Sequence, residues 1–249
     1  MTFGVPVQGP TIGTGTVDTG TFTVTLGQTP TNGNTLLLTY LGETLDGTYN
    51  PVITSILQTH VTWTPVKALP NGDVAYVDSE VWISVVDASG TPGTTVTITI
   101  GATLGTTSLE IAYITEFPGG LTTDQTASNP GSGPISSSGD SGTTSTTTVA
   151  TELIVAGIGA AATTDFVVAQ SLPTNSFIID ATGTEQANGT ALYCSLSFLY
   201  KTVSATGTQD AGVTFASTPF WTGVIATFYA STPVTVAQVY GDGLTSYTC

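Results

Sequence analysis

The chain has 249 residues and a formal net charge of −15, with 40% hydrophobic and only 8% charged residues. This length and hydrophobic fraction suit a folded protein with a sizeable core and exclude a disordered chain. Lys67 and Lys201 are the only basic side chains apart from one histidine. Nucleic acids and anionic membrane surfaces are bound through several lysines or arginines, so the composition argues against both as partners.

Threonine makes up about a fifth of the chain. Threonine and valine favour strands, and no long segment has the periodicity of a helix. No stretch reaches the roughly 18 apolar residues of a membrane-spanning helix. Residues 1–10, MTFGVPVQGP, lack the basic start and apolar run of a secretory signal. We therefore expect an all-β protein without membrane insertion. It would be a processed chain, be exported by another route, or be a phage component released by lysis.

Alternating apolar and polar residues predict strands along the whole chain. In chain order the segments are 34–43, 81–99, 109–117, 151–160, 195–215 and 222–230. A stretch rich in glycine, serine and proline, residues 117–145, separates the first three from the last three. Turn-forming residues of this kind punctuate strands and fill connections.

The segments on the two sides of that stretch resemble each other in pairs. The pairs are 34–43 with 151–160, 81–99 with 195–215, and 109–117 with 222–230. All three occur in the same order, about 110 to 117 positions apart, which indicates an internal duplication.

A duplicated chain has two arrangements open to it. The halves can be tandem sandwiches, or they can interlock as one jelly-roll-like antiparallel β-sandwich. We favour the second, because a four-stranded half leaves open edges and a thin core. The prediction is one sandwich over residues 1–230, with half-repeats at about 20–117 and 148–230 and a crossover loop at 118–147. Residues 231–249 form a C-terminal extension.

The parity of the apolar residues predicts which face of each strand is buried. Val81 and Ile83 share one face of their strand, while Glu80 and Trp82 share the other. Segment 109–117 likewise places its glutamates opposite its large apolar residues. One buried face and one wet face is typical of antiparallel sheets.

Candidate catalytic and metal-ligating residues are few. His60 is the only histidine, and no nucleophile motif accompanies it. We expect no catalytic residue, no metal site and no cofactor. Asp78 and Glu80 lie two apart on one strand and therefore share a face, but nothing in the sequence indicates a catalytic cleft around them. The aspartates in 45–50 and 137–142 are typical of ordinary turns.

Three tryptophans, Trp63, Trp82 and Trp221, lie in or next to predicted strands. A row of exposed aromatic rings would stack on sugars, whereas buried rings would be part of the core. We favour core or interface packing for all three, with Trp63 in the sandwich or at its rim.

Two cysteines leave two interpretations open. Cys194 shares the apolar face of its strand, so we expect it in the core, and Cys249 is the last residue. They are independent thiols, or they form a disulfide that would imply an oxidising compartment. Asn188 begins a glycosylation sequon, and the serines and threonines of 135–148 are candidate sites for O-linked glycans.

Several stretches together resemble a poorly characterised family of bacterial and phage-associated β-sandwich surface proteins. They are NTLLLTYLG, VTWTPV, LTTDQTAS, TTTVATELIVAGIG and WTGVIATFYA. The resemblance spans residues 3–230. The chain is also similar to jelly-roll subunits of extracellular helical filaments, in which a terminal strand of one protomer docks into the next. The resemblance implies a non-enzymatic surface or virion module and supplies no catalytic residues.

Three functions follow from these observations. The first is a structural subunit that polymerises with copies of itself into an extracellular, pilus-like filament at the cell surface. The second is a virion component such as a tail or decoration protein. The third is a glycan-binding module.

A filament subunit needs a contact between copies that does not close on itself. The N-terminal segment has alternating Val5 and Val7 beside prolines that suit an edge or a crossing segment. The C-terminal extension carries a second apolar series that the sandwich does not obviously require. The candidate contact residues are Val5, Val7, Val234, Val236, Val239 and Tyr240.

Overall fold

A computed structural model describes the protein over residues 3, 5–16, 20–44, 51–69, 77–87, 89–101, 108–131, 136–162, 170–186, 193–231, 235–240 and 243–248. Within these ranges all regular secondary structure is β-strand, and the strand pairs are antiparallel. The predicted all-β, sandwich-type fold is confirmed. The described residues contain no helix with the length and hydropathy needed to cross a bilayer.

The first half of the chain forms two sheets. Its strands are Gln8–Thr16 (β1), Thr21–Thr25 (β2), Thr35–Thr44 (β3), Val52–Leu57 (β4), Val61–Leu69 (β5), Val77–Val86 (β6), Thr95–Gly101 (β7) and Ser108–Phe117 (β8). The five-stranded sheet has the order β1-β8-β3-β6-β5, and the three-stranded sheet has the order β2-β7-β4.

The second half repeats this plan. Its strands are Leu121–Asn129 (β9), Ser138–Asp140 (β10), Glu152–Ala162 (β11), Gln170–Ser171 (β12), Ile178–Gln186 (β13), Tyr193–Val203 (β14), Gly212–Phe215 (β15) and Phe220–Ala230 (β16). They form the sheets β13-β14-β11-β16-β9 and β10-β15-β12. Thr235–Tyr240 (β17) and Gly243–Thr248 (β18) form a separate two-stranded sheet.

The two halves have the same topology, as an internal duplication predicts. Adding eight to each strand number of the first half reproduces the pairings of the second half, in both the five-stranded and the three-stranded sheet. The matched segments fall on equivalent strands: β3 corresponds to β11, β6 and β7 to β14 and β15, and β8 to β16.

The connection between the halves differs from the prediction. Residues 118–147, expected to be a crossover loop, contain β9 and β10, so the halves extend over 8–117 and 121–230. β9 pairs with β16 along the sheet edge. Its sequence, LTTDQTASN, is half-buried almost throughout and has no apolar alternation, which is why the pattern of residues gave no strand signal.

The halves share a core, but they do not interlock as predicted, because among the described strands each sheet is built by one half alone. Three clusters of buried side chains lie between the successive sheets. The central core lies between the two five-stranded sheets and includes Leu37, Val81, Ile111, Leu153, Leu196 and Phe228. The first outer core includes Val24, Leu38, Trp82, Ile98 and Ile114. The second outer core includes Ile154, Ala156, Val213, Trp221 and Ile225. Among the described strands, no sheet combines strands from both halves.

Both faces of the five-stranded sheets are therefore buried. The prediction that one face of each sheet is exposed to solvent was wrong. Val81 packs in the central core, and its neighbour Trp82 packs in the first outer core. Glu80 and Glu110, on the expected wet face, are 1% and 0% exposed. The parity was right, but a smaller sheet covers the face that carries the polar residues. Alternation alone does not distinguish water from a covering sheet.

Whether each half folds alone stays a prediction. Expressing residues 1–119 and 120–249 separately would expose the apolar face that each five-stranded sheet now buries against the other. We expect each fragment to be insoluble or unfolded, because an exposed face of this size drives association. Co-expression of the two fragments should restore a soluble complex. Separate fragments that are each monomeric and melt cooperatively in calorimetry would contradict this expectation.

Candidate functional site

The N-terminal segment is held by its own chain. The backbone N–H of Val7 donates to the carbonyl oxygen of Glu116 at 2.7 Å, and Phe3 packs against the central core. Val5 and Val7 are nevertheless 80% and 41% exposed. Of the predicted contact residues, these two offer apolar side chains on a segment whose backbone already pairs with β8.

The side chain of Glu116 connects this segment to two others. Its Oε2 accepts a hydrogen bond from Gln8 Nε2 at 2.5 Å. Its Oε1 accepts from the backbone N–H of Thr31 at 2.9 Å and from Asn34 Nδ2 at 2.6 Å. Asn34 Oδ1 in turn accepts from the N–H of Gly119, at the junction of the halves. One buried carboxyl group thus fixes the N-terminus, the β2–β3 turn and the β8–β9 connection.

Replacing this carboxyl group should loosen all three segments. Glu116→Ala removes the acceptor of three donors, and we expect a loss of about 2–4 kcal/mol in the free energy of unfolding, measured by urea denaturation. Gln8→Ala removes only one of the contacts and should cost about 1 kcal/mol. Equal stability of Glu116→Ala and the parent would contradict the role of Glu116.

The C-terminal extension forms a two-stranded hairpin. Val236 lies opposite Tyr247, Val239 opposite Leu244, and Tyr240 pairs within the same ladder. Val234 lies outside the described residues. Among the described strands, β17 and β18 pair only with each other. Each strand therefore has one edge whose backbone groups take part in no described sheet.

Cys194 lies in the central core and is 1% exposed, as predicted. Cys249 and Asn188 lie outside the described residues, so the disulfide and the glycosylation at Asn188 stay predictions. Part of the serine- and threonine-rich segment is bound to the chain. Its Ser141 and Thr144 are buried, and their backbone N–H groups donate to Ala211 and Gln209.

The tryptophans are core residues, as expected. Trp63 and Trp82 are each 8% exposed, and Trp221 is 4% exposed. None of the three offers a ring face on which a sugar could stack.

His60 is exposed at the turn between β4 and β5, with a φ of 54°. Its ring lies against Gly90. The described residues contain no group of three or more histidine, cysteine or acidic side chains placed to hold a metal ion.

A second feature is an acidic cluster in the first outer core, formed by Tyr40, Asp78, Glu80 and Glu110. In the sheet register, Gly42 lies between Asp78 on β6 and Glu110 on β8. The Tyr40 hydroxyl occupies the space above Gly42, where a Cβ would overlap it. The four side chains therefore meet on one buried face. The sequence predicted that Asp78 and Glu80 share a face, but gave no signal that the face is covered.

The hydrogen bonds of this cluster join the two sheets of the first half. Glu80 Oε1 accepts from the backbone N–H of Ile53 at 2.6 Å, and Glu80 Oε2 accepts from Trp82 Nε1 at 2.5 Å. The Tyr40 hydroxyl donates to the carbonyl oxygen of Pro51 at 2.6 Å. These contacts attach the start of β4 to the five-stranded sheet.

Burial dominates the acidity of the cluster. It raises the pKa of Asp78 well above the usual value, and the charge of Glu80 and a hydrogen bond between the two carboxyl groups raise it further. Burial also raises the pKa of Glu80, although hydrogen bonds from Ile53, Trp82 and Asp78 partly offset it. The pKa of Tyr40 is raised by burial and by the nearby acidic groups.

A second pair of carboxyl groups lies in the second half, on β9 and β11. Asp124 accepts hydrogen bonds from the backbone N–H of Thr148 at 2.5 Å and from its hydroxyl at 2.8 Å. Burial raises the pKa of Glu152 to about 7, and the hydrogen bond with Asp124 and its charge add to the rise, while Thr227 offsets part of it. Burial acts to raise the pKa of Asp124, but hydrogen bonds from Thr148, Glu152 and Gln125 bring it below the usual value. Glu152 is therefore the member of the pair that carries the proton.

Glu152 should make folding pH-dependent. Because its pKa is raised on folding, its stabilising contribution is complete below about pH 4.5 and is lost as the pH rises through about 7. The dependence is at most about tenfold in the folding equilibrium constant per pH unit. Glu152→Gln should make the free energy of unfolding depend less steeply on pH between pH 5 and 8, measured by urea denaturation. Asp124→Asn removes a charge that raises the pKa of Glu152. The stabilising contribution of Glu152 should therefore be lost at a lower pH in this variant. A profile unchanged in both variants would contradict the assignment.

Comparisons of the chain with protein-family models, with curated proteins and with solved structures found no match.

Proposed function

We propose that the protein is a non-enzymatic structural subunit that assembles with copies of itself, head to tail, into an extracellular filament. The observation that carries the proposal is the hairpin β17–β18, which pairs with no other strand among the described residues. The resemblance to filament-forming jelly rolls supports the same function.

The hairpin favours association because the backbone N–H and C=O groups on its outer edges take part in no described sheet. An isolated two-stranded hairpin is marginally stable in water, and three or more strands are needed for independent stability. Its outer backbone groups are a template for pairing with another chain. Addition of strands to a neighbour's sheet uses main-chain hydrogen bonds and needs no particular side chains.

The rest of the molecule supplies sheet edges that can accept such a hairpin. The five-stranded sheets end in β1 and β5 in the first half, and in β13 and β9 in the second. The N-terminal segment is a weaker candidate for the contact, because Glu116 and β8 already hold it. We therefore assign the contact between copies to the C-terminal extension.

Removal of the hairpin tests this function. A chain truncated to residues 1–231 keeps both halves, so it should melt within a few degrees of the parent and remain monomeric. Negative-stain electron microscopy and light scattering should detect polymers only for the full chain. The variant Val5→Ser/Val7→Ser keeps the backbone pairing to β8 and should polymerise like the parent.

Two results would contradict the proposal. Polymers of the truncated chain would show that the hairpin is dispensable. A full chain that is monomeric at high concentration would refute the filament and leave the virion and glycan-binding functions, which gene neighbours and a glycan array would separate.

A further inference from the structure

The acidic cluster of the first outer core places the carboxyl group of Asp78 in a buried space beside that of Glu80. Asp78 is 0% exposed, and neither of its side-chain oxygens has a donor in good hydrogen-bonding geometry among the described residues. The backbone N–H of Ser79 acts to lower the pKa of Asp78, but burial raises it by more. Burying an ionised carboxyl group without a partner costs far more than a folded protein can offset elsewhere. Asp78 therefore needs a proton.

The neighbouring groups do not remove this need. The Tyr40 hydroxyl has one proton, which it donates to Pro51, so it cannot satisfy Asp78 as well. Glu110 faces the same space from β8 and contributes to the raised pKa of Tyr40. Strands β4 and β7, which cover the cluster, carry no titratable side chain. From the second half, Cys194 acts on Tyr40 as a further acidic group.

Neither lysine supplies a compensating charge. Lys67 lies opposite Val81 in the register of β5 and β6, so its side chain leaves the sheet on the face away from Glu80. Lys201 lies in the second half, where its Nζ donates to the carbonyl oxygen of Asn175 and lies over the ring of Phe177.

Glu80 is the natural acceptor for the proton of Asp78. Its two oxygens already receive hydrogen bonds from Ile53 and Trp82, as an ionised carboxylate would. A protonated Asp78 adds a third donor. Loss of the proton would place two negative charges side by side in a buried space, and the repulsion would act on the group that attaches β4.

We propose that Asp78 and Glu80 form a buried proton-binding site, in which one proton shared between the two carboxyl groups is required to hold β4 on the first five-stranded sheet. The site couples folding of the first half to proton uptake. The contribution of this site to stability is accordingly largest in acid, and a rise in pH loosens the start of β4.

The direction of the pH dependence follows from the difference between the pKa of Asp78 in the folded and unfolded chain. Asp78 titrates near pH 4 in an unfolded chain, and the folded pKa is raised. The stabilisation is complete below about pH 4 and falls about tenfold in the folding equilibrium constant per pH unit above it, until the folded protein also ionises.

Asp78→Asn provides the direct test, because its amide can donate to Glu80 at every pH. The Glu152 pair titrates in the same range, so the comparison is made in the Glu152→Gln background. Urea denaturation from pH 4 to 9 should show that Asp78→Asn removes a dependence of about tenfold per pH unit. The control is Asp87→Asn, an exposed carboxyl group bonded only to Ser89, which should leave the profile above pH 5 unchanged.

A second measurement needs no variant and covers the case in which Asp78→Asn fails to fold. The ¹³C resonance of the Asp78 carboxyl carbon, recorded in the parent protein, should be that of a protonated acid at pH 6. The indole N–H of Trp82, which donates to Glu80, should shift when Asp78 finally titrates. An ionised Asp78 at pH 6, or equal pH profiles for Glu152→Gln with and without Asp78→Asn, would overturn the proposal.

Discussion

The fold depends on one constraint, which is that both faces of each five-stranded sheet must be covered. One face of each packs on the other half in the central core, and the opposite face packs on a three-stranded sheet of its own half. A single half would satisfy only one of these requirements. The duplication supplies the missing layer, so the shared core explains why the chain contains the same unit twice.

Full burial also explains the polar composition of the strands. A sheet buried on both faces has to place its polar side chains where no water reaches them, so they must satisfy one another. The hydroxyls of Ser79 and Thr222 bond across the central core at 2.5 Å. In the second half, Gln170 bonds to the hydroxyls of Ser195 and Ser197. Hydroxyls can both donate and accept, whereas carboxylates only accept, and this difference makes the buried acids the exceptional groups of the structure.

The sequence predicted the strand class, the duplication and the parity of the main strands, because these depend on residue period and similarity. It did not predict β9, whose side chains are polar on both sides, or the covering of Glu80 and Glu110. Burial of a polar face depends on which sheet lies over it, and that is a property of the tertiary arrangement rather than of local pattern. The three hydrogen bonds to the Glu116 carboxyl group were not predicted for a related reason. Their donors at Gln8, Thr31 and Asn34 lie 82 to 108 positions away in the chain.

The arrangement of the halves bears on how copies can associate. Equivalent faces meet in the central core: β11 contacts β6 as β3 contacts β14, and β16 contacts β6 as β8 contacts β14. This is the geometry of an isologous dimer fused into one chain, and such a pairing closes on itself. Growth of a filament requires a contact that the internal symmetry does not use. Among the described strands, the hairpin β17–β18 has no counterpart in the first half. It therefore breaks the equivalence of the two halves, and the proposed head-to-tail assembly needs such an asymmetry.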